Sequence, residues 1–214
     1  MVLMESVFLS LLIGLIAGGK LGHLRRFPLR HGYLVILSTL IQAYIVYSAI
    51  AEPISGFTLP AAILLGSYVI LIATCAINLR LPGMDLISLG LLLNLTVMVA
   101  NNGFMPISPE QLRAAGFTNE ANEYKVGSRL PRSKDVLMPA SEIRLRALSD
   151  VLVIVLPVPF HSRFTRSVMS VGDVFVGVGI FFMAQAALGS RLALLKLRRH
   201  DEPDAQHTPA SSPT

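Results

Sequence analysis

The sequence predicts an all-α integral membrane protein with about five transmembrane helices, its N-terminus outside and its C-terminus inside. Three observations predict it. Only 14% of the 214 residues are charged and 53% are hydrophobic, where ordinary soluble domains carry roughly 25% charged residues. Five long runs almost free of charge cover residues 2–19, 32–51, 59–78, 86–100 and 174–195. The basic residues that remain are placed as membrane topology requires.

A helix needs about 20 mostly apolar residues to cross the hydrocarbon, and in lipid its backbone must satisfy its own hydrogen bonds. The first run reads as a retained span. A secretory signal opens on positive charge, whereas Glu5 stands there and the basic residues follow the run. The fourth run is short and must borrow from residues 83–85 or 101–102, or sit in a thinned bilayer. Lys20, Arg25, Arg26 and Arg30 cluster between the first two runs with no acidic residue. The next loop holds Glu52 and no base, the following one holds Arg80, and the tail after the last run opens with "KLRRH". Basic short loops mark the cytoplasmic side. The expected organisation is therefore a four-helix membrane part over 1–100, an extracytoplasmic segment over 101–172, a last helix over 173–197 and a disordered cytoplasmic tail over 198–214. The bacterial plasma membrane is the expected location.

Within the spans, Gly14, Gly18 and Gly22 recur every four residues. The spacing predicts one small-residue face on the first helix, packing against another helix of this chain or against a second copy. Gln42, Asn94 and Thr96 are polar and predict interhelical hydrogen bonds, with a substrate path as the alternative. Cys75 is the only cysteine and can form no internal disulfide.

The extracytoplasmic segment opens with the turn signals of "NNGFMPIS". "SPEQL" then predicts a short helix with Ser108 as N-cap and Pro109 at its first position, ending near Gly116. The stretch from Thr118 to Asp135 is polar and reads as irregular and mobile. Residues 151–160, "VLVIVLPVPF", are too short to span as a helix, and Pro157 and Pro159 remove two backbone donors. A strand-like piece, a re-entrant dip and an interfacial segment all fit, with Val and Ile favouring an extended first half.

Two aspartates carry the candidate chemistry. Asp150 precedes that run and Asp173 opens the last helix. Asp173 suits a helix start, where a carboxylate accepts orphan N–H groups and meets the positive end of the dipole, and Ser170 can share the role. Asp150 suits a cap, a turn or an ion pair with Arg144 or Arg146. The functional alternative is a carboxylate pair, one member protonated and acting as acid while the other activates water. On that reading Asn101, Asn102 and Arg163 are the candidate substrate-binding residues. His23, His31, His161, His200 and His207 are scattered and show no metal-ligand spacing, so no metal and no cofactor are expected. The basic residues are accounted for by topology, which excludes nucleic acid as a partner. The expected partners are the bilayer and another membrane protein or a second copy.

The motifs "NNGFMPIS", "LSD" at 148–150 and "SVGDVFVGVGIFF" from Ser170 resemble a bacterial membrane-protein family, domain-of-unknown-function family 5317. That resemblance implies a bacterial inner-membrane protein and no activity. Asn102-Gly103, Asp150 and Val171-Gly172-Asp173 are also similar, in order and side, to the motifs of bacterial lipoprotein signal peptidase, although that family has four spans and begins inside. A non-catalytic binding, scaffolding or assembly component is the function expected first. A membrane-embedded aspartic peptidase using Asp150 and Asp173 is the alternative.

Overall fold

The computed structural model describes residues 2–48, 53–54, 56–155 and 166–193. Five long apolar helices dominate it: α1 (Val2–Ile16), α2 (Gly32–Tyr47), α3 (Leu59–Ile77), α4 (Met84–Ala100) and α7 (Val171–Leu188). Two of them, α3 with 19 residues and α7 with 18, are long and apolar enough to cross a membrane. The helices lie side by side in the order α1, α7, α4, α3, α2.

Glycines decide the tightest of these contacts. A Cβ on Gly179 would stand 2.6 Å from the Gly83 carbonyl oxygen, and one on Gly172 would stand 2.6 Å from that of Gly90. Both pairs are seven residues apart on antiparallel chains, two helical turns, so they recur on the facing sides of α4 and α7. Main chain meets main chain there, which only glycine permits. The expected stripe of Gly14, Gly18 and Gly22 does not form. α1 ends at Ile16, Gly18 turns the chain at φ +85, and nothing lies within 4 Å of where a Gly22 Cβ would be. Gly14 alone packs closely, against Leu188 and Gln185 of α7.

At one end of the row, loops cross-link the helices. The Lys20 N–H donates to Leu188 O at 2.9 Å. The Asn78 side chain accepts from Arg30 N–H and donates to Arg30 O, both at 2.9 Å. A 3₁₀ turn over Leu21–Arg26 sits between these ties. The last helix is shorter than the apolar run suggests. Gly189, at φ 61, caps it after Leu188, leaving Ala187 and Leu188 as its buried inner turn.

At the opposite end the chain is not all helical, which corrects the expected all-α class. β1 (Met105–Ile107) pairs in parallel with β2 (Asp135–Leu137), in the register Met105↔Asp135. Between them lie α5 (Pro109–Ala114) and α6 (Thr118–Glu123). Ser108 and Gln111 form the capping box that the sequence predicts. The polar stretch read as irregular is ordered, because β2 bonds on both edges: Leu130 N–H also donates to Asp135 O at 2.9 Å. The α2–α3 loop joins the same patch through Ile54 N–H to Gly127 O, 2.9 Å. Arg129 ties α2 to it, donating to Ile45 O at 2.9 Å while its guanidinium lies 4.6 Å over the Phe104 ring. β3 (Leu152–Val155) is the extended first half of the apolar run and pairs antiparallel with β4 (Arg166–Met169). The second half of that run, Arg163 and the tail lie outside the described residues.

Candidate functional site

The site is assembled where α3, α4 and α7 meet the 101–170 segment. Ser170 caps α7: its hydroxyl accepts from Asp173 N–H at 2.9 Å, and Asp173 Oδ2 accepts from Ser170 N–H at 3.3 Å. Those two bonds satisfy donors that a helix start leaves free. Asn94, buried on α4, closes the arrangement. Its amide donates to Asp173 Oδ1 at 2.8 Å and its carbonyl accepts from the Ser170 hydroxyl at 2.7 Å. Lys134, the residue before β2, brings its ammonium to 3.5 Å from Asp173 Oδ1. Tyr68 of α3, itself buried, lies within electrostatic reach of the same ammonium.

A second pair of carboxyls abuts this ring. Asp135 accepts from the Ser133 hydroxyl through Oδ2. Its Oδ1 and the Oδ1 of Asp150 are both buried and find no N–H or O–H partner. The two carboxyls lie close enough for the charge of each to act on the other. Two buried carboxyls in mutual reach do not both ionise easily. Burial pushes Asp150 well above the ordinary carboxyl range, and the Asp135 and Asp173 charges push further against the opposing Lys134. Burial raises Asp135 as well, with Lys134 and the Ser133 hydroxyl opposing. For Lys134, burial favours the neutral amine, but Asp173, Tyr68, Asp150 and Asp135 outweigh it and hold the ammonium well above the usual lysine value.

The hairpin explains how the two sequence-predicted aspartates come to share one cluster. Its register sets Leu152 opposite Met169, which carries Asp150 back to the start of α7. The aspartates do not form a bare pair, however. Lys134 stands against Asp173, and Asp150 faces Asp135. Asn101 is consumed structurally, donating to Val97 O at 2.8 Å and Arg144 O at 3.0 Å and accepting from Arg144 N–H at 3.0 Å. Asn102 turns the chain at φ 58 and, with Asn101, borders a hollow of about 190 Å³ that Glu142, Phe104 and Met138 also line. Of the other polar span residues, Thr96 bonds back to Leu92 O at 2.8 Å, and Gln42 Nε2 is buried without a partner. Among the described residues no group of three or more His, Cys, Asp or Glu is placed to hold a metal ion.

The model of the family of unknown function DUF5317 matches residues 26–185. The chain belongs to this family. The match takes in Asn94, Lys134, Asp135, Asp150, Ser170 and Asp173, so the whole cluster of this DUF5317 protein lies inside the family region. No curated protein and no solved structure matches the chain, and the likeness to lipoprotein signal peptidase finds no support.

Lys134, Asp135 and Tyr68 were not visible as site residues in the sequence. "SKD" sits in a polar stretch, and the one local signal, the apolar "VLM" after it, is too short to announce a strand.

The raised carboxyl of Asp150 predicts a pH dependence. Asp150 has a folded pKa above its unfolded value, so the native state holds the proton more tightly. Its contribution is complete at acid pH and is lost as pH rises through the folded pKa. Thermal unfolding of the full chain should therefore show stability falling as pH is raised from the ordinary carboxylate range upward, and Asp150→Asn should flatten that slope. An unchanged slope in Asp150→Asn would show that the Asp150 carboxyl is not the group responsible.

Proposed function

We propose that this protein is a multi-pass component of the bacterial plasma membrane, crossing it five times with the N-terminus outside. Its 101–172 segment is a non-catalytic outer cap of the binding, scaffolding or assembly kind. One observation carries the cap reading: the polar atoms of Asp173, Asn94 and Ser170 are spent on one another, and Lys134 adds the charge that fastens the segment to α4 and α7.

The membrane reading is supported by the outward faces of the helices, which stay apolar. Phe8 is 71% exposed, Leu40 62% and Val99 59%, a surface that suits lipid and not water. α3, at 19 residues, is roughly 28 Å long, close to the thickness of the hydrocarbon. The short loops differ in charge between the two ends, while the long 101–172 segment, with nine Lys or Arg, is of a length that translocates largely regardless of charge. Lys20, Arg25, Arg26 and Arg30 share one end with Arg80, whose loop is tied to theirs through Asn78. The α2–α3 loop and the 101–170 segment share the other end. Alternate loops on alternate sides, with the short basic loops at one end, match the positive-inside pattern, which is counted over short loops.

The aspartic-peptidase alternative through Asp150 and Asp173 has thinner support. Both Asp173 oxygens are engaged, and neither aspartate lines the hollow beside Asn101 and Asn102.

A single cysteine in place of Tyr124, in a Cys75→Ala background, tests the placement. A membrane-impermeant maleimide should label it in intact cells. Labelling that appears only after the cells are opened would reverse the topology, and the outer cap with it.

A further inference from the structure

An apolar slot lies on the same face of the row as the basic turn, at the end opposite the cap. It measures about 280 Å³ and is lined almost wholly by carbon, including Leu11 of α1, Ile180 and Met183 of α7, and Leu24, Phe27 and Leu29 of the connection between α1 and α2. The 3₁₀ turn over Leu21–Arg26 explains how one short connection serves two chemistries. With three residues per turn, Leu21, Leu24 and Phe27 follow one another along one side and Arg25 and Arg26 fall on the others. Leu24 and Phe27 thus close the end of the slot, while Arg25 and Arg26 are exposed at its rim, with Lys20 and Arg30 exposed on either side. Among the described residues no ion pair is made by any of these four cations, and none of the residues from Lys20 to Arg30 is acidic. The turn itself is pinned: His23 Nδ1 is 3.0 Å from Leu188 O, and a Cβ on Gly189 would stand 2.6 Å from His23 Nδ1.

We propose that this slot and its rim form a binding site for one anionic phospholipid of the cytoplasmic leaflet, an acyl chain lying in the slot and the phosphate meeting Arg25 and Arg26. The occupant follows from the two halves together. A carbon-lined slot open to the side takes a hydrocarbon chain, and an unneutralised pair of arginines at its mouth takes a phosphate. A neutral lipid would leave the rim unanswered, and a soluble anion would leave the slot empty. The inference rests on the membrane reading above, and the test separates the two.

The full chain is reconstituted into vesicles of phosphatidylcholine containing a minor fraction of spin-labelled phosphatidylglycerol or spin-labelled phosphatidylcholine, and the motionally restricted lipid fraction is measured. Phosphatidylglycerol should be retained severalfold over phosphatidylcholine, and less so at high salt. Arg25→Gln/Arg26→Gln should abolish that severalfold preference, bringing the two lipids to equal retention while phosphatidylcholine retention stays unchanged. Arg80→Gln, which removes a cation from the neighbouring loop, should leave the preference in place. Ala184→Phe, filling the slot from α7, should reduce retention of both labelled lipids at this site. No preference in the wild-type chain, or a preference lowered equally by Arg80→Gln, would overturn the site. A chain that fails to co-float with vesicles would overturn the membrane reading instead.

Discussion

Lys134→Met should loosen the whole 101–170 segment from the helix ends, at a cost of about 3–5 kcal/mol. The substitution keeps the length of the side chain and deletes the charge. Asp173 is then left buried at 5% exposure with Asn94 and Ser170 N–H as its partners and no cation. The carboxyls of Asp135 and Asp150 lose the same counter-charge. Removing one partner from a buried pair leaves an uncompensated charge, which costs far more than the pair contributes. The double variant Lys134→Met/Asp173→Asn should therefore recover a large part of the loss, since the neutral amide no longer needs a cation. Hydrogen exchange across residues 105–107 and 135–137 reads the release of the segment, and thermal unfolding of the solubilised chain reads the energy. A double variant no more stable than Lys134→Met would show that the pair is not what holds the segment.

Gly172→Val should be as damaging by a different route, at about 3 kcal/mol or more. Even the first carbon of the new side chain would meet Gly90 O at 2.6 Å and the Asn94 amide carbon at 2.7 Å. The helices must then separate where their backbones touch, and Asn94 must leave both Ser170 and Asp173. Packing and hydrogen bonding fail together, because one residue sits in both. Gly66→Ala on α3 provides the contrast. Nothing lies within 4 Å of its Cβ position, so alanine should be neutral or gain up to about 1 kcal/mol from helix propensity. Equal melting temperatures for Gly172→Val and the parent would refute the close-approach account of α4 and α7.

Asn94 shows how far the sequence could carry this site. A polar residue in an apolar run predicts an interhelical bond, and Asn94 makes one, but the run says nothing of which helix answers it. Asp173 reads as a helix start from its own neighbourhood, and the capping box with Ser170 follows that local logic. Lys134 is the reverse case. Its flanks are those of any solvated loop, and its role exists only because β2 lies beside β1, some thirty residues earlier in the chain. The glycine contacts divide the same way. The four-residue spacing of Gly14, Gly18 and Gly22 suggested a stripe that the end of α1 at Ile16 prevents. The seven-residue spacings 83/90 and 172/179, which do meet, lie in different helices and become a motif only when paired.

Composition and local pattern determined by themselves that this chain would build long apolar helices, roughly where they would begin, which short loops would be basic, and that Ser108 would start a helix. Those properties depend on the free energy of nearby groups, and neighbours in sequence suffice to set them. Tertiary structure alone decided that α4 and α7 touch through bare backbone, that Lys134 becomes the counter-ion of Asp173, and that Asp150 is buried within reach of the Asp135 charge. Burial and Coulomb attraction act through space, at distances that chain order does not encode.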